Sequence, residues 1–129
     1  MALDRKAYHE KYYQDHEEEK KKYREDHKEY YRKYGREFHR RLRIKSFSHY
    51  GNRCLCCGET RYEFLVIDHI NGGGNRHRKE IGKGGEIYYW LKKNNYPEGF
   101  QVLCHNCNMA KGAYGECPHK HNAIEDYSI

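Results

Sequence analysis

Residues 50–71 read YGNRCLCCGETRYEFLVIDHIN, and residues 100–111 read FQVLCHNCNMAK. Each stretch joins a Cys-x2-Cys pair to a short apolar run, in opposite order. Phe64-Leu65-Val66-Ile67 is the best strand in the chain, and Phe100 to Leu103 predict a second short strand. Two residues between cysteines let a tight turn aim both sulfurs at one tetrahedral ion. Cys54, Cys57, Cys104 and Cys107 are therefore the expected ligands of a structural Zn2+, closed by four thiolates. The 46 intervening residues exceed the roughly 15–20 of an ordinary zinc ribbon, so an element is inserted between the two halves of the knuckle. Cys56 lies between ligands and reads as a spare thiol, with an alternative ligand register left open by the spacing.

Working outward, the inserted segment INGGGNRHRKEIGKGG holds six Gly in sixteen residues and is expected to be loop. EIYYWLKKNN, residues 86–95, predicts a short amphipathic helix with Ile87, Trp90 and Leu91 on one side, stopped before Pro97. Met109-Ala110-Lys111 read as a helix start. Cys117-Pro118-His119 with His121 lacks a matching second half and reads as a spare Cys in a solvated tail.

The N-terminal third is a different material. Between Leu3 and Leu42 there is no Leu, Ile, Val or Met, and only 36% of the 129 residues are hydrophobic against 34% charged. Such a chain has no large core. A zinc ion contributing on the order of 10 kcal/mol would replace much of the missing core, and without metal the Cys-rich part should unfold. Residues 5–45 contain no Pro and only Gly35, and predict one long charged helix or two with a break, with Gly35 the expected bend. Lys11, Tyr12, Asp15 and His16 recur eleven residues later as Lys22, Tyr23, Asp26 and His27, and again as Lys33, Tyr34, Glu37 and Phe38. Eleven residues make three turns at about 3.67 per turn, so equivalent side chains share a face. The Tyr-rich stripe is either a weakly packed solvated face, the seam of a homodimer through this helix, or a face laid along a nucleic-acid backbone.

Charge sharpens the division. Residues 1–30 carry 8 Lys/Arg against 9 Asp/Glu, residues 31–48 carry 7 against 1, and residues 49–129 carry 10 against 9. The net +6 is thus contained in YRKYGREFHRRLRIKSFS, directly ahead of the Cys-rich part. A concentrated basic segment beside a folded site implies an anionic polymer as partner, with Arg40, Arg41, Arg43 and Lys45 as candidate contacts. No stretch has the length of a membrane span, and MALDRKAYHE lacks the apolar run of a signal peptide, so no membrane partner and a cytoplasmic location are expected. In that compartment six Cys favour metal over a disulfide framework. The expected organisation is a helical region over 1–48 and a zinc-knuckle domain over 49–129.

In combination, C-x2-C at Cys54 and Cys57, V-I-D-H-I at Val66 to Ile70, and Q-V-L-C-x2-C-N-x2-K at Gln101 to Lys111 resemble the HNH family of His-Me finger nucleases over roughly residues 50–119. The charged N-terminal helix is also similar to that of phage-encoded HNH proteins, which would place the protein in a host cytoplasm. The resemblance implies an α+β fold, a small zinc-stabilised ββα-metal domain behind the long helix. It implies a metal-dependent DNA endonuclease in which His69 is the general base and Asp68 and Asn108 are catalytic ligands of Mg2+ or Mn2+. The family's middle Asn, which orients the catalytic His, falls at Gly99; that task would pass to a backbone carbonyl, Asn71 or Asn75.

The chemistry agrees with the residue types. Phosphodiester hydrolysis needs an activated water, a cation beside the scissile phosphate and positive groups holding the backbone. An imidazole accepts a proton near neutrality, and carboxylate and amide oxygens are hard ligands suited to Mg2+ or Mn2+. Arg76, Arg78 and Lys79 in the Gly-rich segment, and Lys111 one turn beyond Asn108, are further candidate phosphate contacts. The competing reading is a non-catalytic zinc-knuckle DNA-binding protein in which Asp68-His69 is structural.

Overall fold

The computed structural model describes residues 4–120. Three helices come first: α1 (Arg5–Asp15), α2 (Glu17–Asp26) and α3 (Lys28–Tyr50). They are followed by β1 (Leu65–His69), α4 (Gly74–Ile81), α5 (Glu86–Lys93), β2 (Phe100–Cys104) and α6 (His105–Tyr114), with 3-10 turns at Tyr62–Phe64 and Pro118–Lys120. The protein is α+β, mostly helical, with a two-stranded antiparallel sheet.

The breaks among α1, α2 and α3 fall at His16 and His27, the same place in successive copies of the eleven-residue repeat, and not at Gly35, which lies inside α3. At each break the imidazole Nδ1 sits 2.8 Å from the carbonyl four residues back, Tyr12 O and Tyr23 O respectively. That carbonyl also accepts the His16 or His27 backbone N–H, at 3.2 and 3.1 Å. A side-chain donor entering the backbone ladder perturbs the turn locally. The rings lie flat on Tyr12 and Tyr23, with centroids 4.1 and 4.0 Å apart. In the third copy the position is Phe38, which has no ring donor, and the helix runs through it. Asp4 caps the start of α1 by accepting from the Lys6 and Ala7 amides at 3.0 and 3.4 Å.

Two compact units divide between Phe38 and His39. This differs from the change of composition after Ser48, and the cause is the last turns of α3. Leu42, Ser46 and Phe47 are buried there, so the basic segment is amphipathic and contributes one wall of the second unit's core. In the first unit Tyr8, Tyr13, Tyr23, Tyr30 and Tyr34 are all exposed.

The second unit's core combines Phe47, Leu65, Ile67, Leu91, Val102 and Leu103 with buried Cys54, Cys104, Cys107 and Cys117. β1 pairs with β2 in the register Leu65 to Cys104, Ile67 to Val102, Asp68 to Gln101 and His69 to Phe100. Alternation puts Leu65 and Ile67 inward, and α6 packs on both strands. The strand starts at Leu65 because the Phe64 amide is spent on Arg61 O at 2.9 Å, closing a 3-10 turn. As expected, α5 buries Leu91 and packs Ile87 and Trp90 against the core.

The Gly-rich insert is not loop throughout. NRHRKEI, flanked by glycines, forms most of α4, while Gly72, Gly73 and Gly82 take positive φ and make the turns at its two ends. The composition had masked a good helical heptad between two glycine hinges. The second helix start also comes earlier than expected, at His105, so Cys107 and Asn108 lie in the first turn of α6.

Leu91→Ala should cost about 2–5 kcal/mol in urea unfolding followed by near-UV signal, because a fully buried side chain is removed. Tyr30→Ala on the exposed N-terminal face should change stability by less than about 0.5 kcal/mol.

Candidate metal centre and adjoining cleft

The two Cys-x2-Cys pairs meet as the sequence predicts. The sulfurs of Cys54, Cys57, Cys104 and Cys107 all lie within 4.8 Å of one another. Cys54 opens the loop after α3, while Cys104 ends β2 and Cys107 lies in α6, so the set ties the loop, the sheet and the helix together. Cys57 Sγ and Cys104 Sγ are 3.7 Å apart. With Zn–S bonds of about 2.3 Å, the edge of a tetrahedral thiolate site is about 3.8 Å, so this donor set fits Zn2+. The amides of Cys57 and Cys107 point at Cys54 Sγ and Cys104 Sγ, at 3.5 and 3.4 Å, as expected where sulfur carries negative charge. Burial raises the Cys54 thiol, but hydrogen bonds from the Cys57, Cys104 and Cys56 backbone outweigh it and bring its pKa down to about 7. Burial and the neighbouring thiols push Cys107 up. A cation that replaces protons resolves this mixture of one acidified and one suppressed thiol.

Cys56 and Cys117 do not stand alone in the fold. Cys56, Cys107, Cys117 and His119 form a second set of donors, all within 4.8 Å of one another. His119 Nδ1 lies 3.4 Å from Cys107 Sγ, 3.4 Å from Cys117 Sγ and 3.9 Å from Cys56 Sγ. The signal in the sequence was Cys117-x-His119 together with Cys56, the second cysteine of CLCC; the remaining donor is Cys107, already counted in the first set. His121 lies outside the described residues.

Beside the cysteines is an open cleft of about 520 Å3 lined by Asp68 and His69 from the end of β1, Asn108 and Lys111 from α6, and Gly74 and Arg78 from α4. The residues singled out in the sequence as a candidate site, Asp68, His69 and Asn108, are thus brought to one cavity. Asp68 Oδ2 accepts from Gln101 Nε2 at 2.7 Å and from Lys111 Nζ at 2.6 Å. Lys111 also donates to His69 O at 2.8 Å, which ties α6 to the strand end. Its side chain is only 25% exposed, so it braces the site from within. His69 is half-buried, and desolvation, then the neighbouring His77, lower its pKa from the ordinary 6.5 despite Asp68. The shift favours the neutral imidazole.

What orients His69 is neither Asn71 nor Asn75. His69 Nε2 and His77 Nδ1 are 2.8 Å apart, and His77 from α4 is itself held edge-on to Trp90, with centroids 4.4 Å apart. Phe100, the register partner of His69, packs on the ring at 4.8 Å. Gly99 has φ +99°, and its carbonyl accepts the Ile70 amide at 3.0 Å, so this position is a turn glycine closing the strand pair.

The basic candidates divide. Arg43 is spent on the protein: its guanidinium donates to Leu65 O at 2.6 Å and lies over the Phe47 and Tyr62 rings. Arg40 is exposed and lies over Tyr62, donating to its hydroxyl at 3.4 Å. Arg41, Lys45, Arg76 and Lys79 are exposed, Arg76 in an i,i+4 pair with Glu80 at 3.5 Å. No described helix is long and apolar enough to cross a membrane. No family model, curated protein or solved structure matches the chain.

Stripping metal with a strong chelator should abolish near-UV dichroism and cooperative melting, with recovery on zinc addition. Cys104→Ser should weaken metal retention without chelator. A melting curve indifferent to chelation would exclude a structural metal.

Proposed function

We propose that the chain is a metal-dependent DNA endonuclease of the HNH, ββα-metal type, expectedly phage-encoded, using His69 as general base. The observation that carries it is the convergence of His69, Asp68 and Asn108 on one cleft, next to a thiolate cluster that supplies a separate, soft ligand set. The order of β1, β2 and α6 around that cleft supports the same reading.

If His69 donates its Nε2–H to His77, the lone pair stands on Nδ1. A Cβ on Gly74 would lie 3.0 Å from that nitrogen, so the glycine leaves room for a water on the cleft side of the ring. His69 Nδ1 takes the proton of that water as it attacks the phosphorus. His77 is a positioning residue, holding the tautomer and, through Trp90, the ring direction. Asp68 Oδ1 and the Asn108 amide oxygen are hard donors fitted to Mg2+ or Mn2+, since the hydrogen bonds from Gln101 and Lys111 both fall on Asp68 Oδ2. A bound divalent ion would supply charge stabilisation at the scissile phosphate and the leaving 3′-oxygen. Arg78 faces the same cleft and is placed to hold a phosphate oxygen; Arg40, Arg41, Lys45, Arg76 and Lys79 are proposed contacts along the DNA backbone.

One observation favours the non-catalytic DNA-binding reading: the Asp68–Lys111 ion pair at 2.6 Å gives the carboxylate a cation of its own. Plasmid cleavage separates the two. With Mg2+ or Mn2+ the wild type should nick DNA, and His69→Ala should be slower by about 10²- to 10⁴-fold while keeping metal and fold. Gly74→Ala should lower the rate by crowding Nδ1. Equal nicking by wild type and His69→Ala would overturn the assignment of His69 as general base, and none by either with DNA binding retained would leave only the binding function. Charge removal at Arg40 and Arg41 should weaken DNA binding and flatten its dependence on salt.

A further inference from the structure

The two donor sets share one residue, Cys107. Two four-coordinate sites with one donor in common need seven ligands, and these sets contain seven: the six cysteines of the chain and His119. No thiol is left over. We propose that the protein carries a binuclear zinc centre, in which Cys54, Cys57 and Cys104 complete one tetrahedron, Cys56, Cys117 and His119 Nδ1 complete the other, and the Cys107 thiolate bridges the two ions. The proposal is independent of the nuclease reading.

The distances suit both halves. A mixed edge between a zinc-bound sulfur and a zinc-bound nitrogen is roughly 3.6 Å for Zn–S of about 2.3 Å and Zn–N of about 2.0–2.1 Å. The contacts of His119 Nδ1 at 3.4, 3.4 and 3.9 Å bracket that length, as the 3.7 Å between Cys57 and Cys104 matches the all-sulfur edge. Cys107 is fully buried between the two sets, where a thiolate sulfur has lone pairs enough for two cations.

Packing gives the second argument. The segment from Gly115 to Lys120 reads GECPHK and contains no Leu, Ile, Val, Met, Phe, Tyr or Trp, yet Cys117 is only 5% exposed. Within it Lys120 N donates to Cys117 O at 3.0 Å, closing a 3-10 turn that brings His119 Nδ1 to 3.4 Å from Cys117 Sγ. A metal held by Cys117 and His119 accounts for a placement that apolar burial does not. Two Zn2+ with six thiolates and a neutral imidazole leave an excess of negative charge, and Lys120 lines the recess beside Cys56, Cys107 and Cys117, which Glu116 also lines.

Elemental analysis of the full-length protein, purified with zinc present, should give two zinc ions per chain. Cys117→Ser and His119→Asn should each reduce this to one while the far-UV spectrum and cooperative melting persist. In protein loaded with cadmium-113, two resonances should appear, split by mutual coupling through the shared sulfur. One zinc per wild-type chain overturns the proposal, as does retention of two by His119→Asn. Two uncoupled cadmium resonances overturn the bridge.

Discussion

Thiols held within 4.8 Å of one another keep their protons, oxidise in pairs or share a cation. The rest of the second unit hangs on that choice. Its aliphatic core is small, Leu42, Leu65, Ile67, Leu91, Val102 and Leu103 with Phe47, and four cysteines stand among these buried side chains. Burial alone opposes ionisation, as the raised pKa of Cys107 reflects, while backbone N–H groups favour it at Cys54. A bound cation turns both tendencies into ligand bonds and converts a marginal core into a stapled one.

The cleft inherits its geometry from the same place. Cys104 closes β2, Cys107 sits in the first turn of α6, and Asn108 and Lys111 follow on that helix. Anything that fixes the sulfurs therefore fixes where Asn108 and Lys111 stand relative to β1. On the strand side the register sets Gln101 opposite Asp68 and Phe100 opposite His69, and both partners are used, one as a hydrogen-bond donor and one as a wall for the ring. The supports of the cleft are one hydrogen bond or one ring contact deep, which makes it precise without a large core.

Much of this was legible in the sequence because it was local. Paired cysteines with two-residue spacing, two apolar runs and the amphipathic face of α5 each announce themselves within about ten residues. What was not legible depended on partners far apart in the chain or on composition that conceals pattern. Glycines at 72, 73 and 82 made the segment of α4 look like loop, although they only bound it. His77 becomes a partner of His69 once α4 exists as a helix; in a loop it was merely nearby. Cys117 and His119 lacked a visible second half because that half, Cys107, already belonged to a recognised motif. Arg43 was one of several basic residues in a row, and only the fold reveals that it serves the Leu65 carbonyl.

The N-terminal repeat shows the reverse, a long-range pattern whose meaning is local. Tyr12 with His16 and Tyr23 with His27 stack, and each imidazole reaches the carbonyl that its own backbone amide uses. The repeat thus specifies an interrupted helix by placing a competing donor every eleven residues. Replacing that His by Phe38 removes the donor, and the same periodic face then continues without interruption into Leu42 and Phe47. One substitution within the repeat separates a helix that stops each third turn from one that runs Lys28–Tyr50 and ends in a core. The apolar content of the two ends follows suit: no buried residue in α1 or α2, three in α3. The first copies need only their own neighbours, whereas the third must be continuous because its far end carries Leu42, Ser46 and Phe47 into the core of the Cys-rich unit.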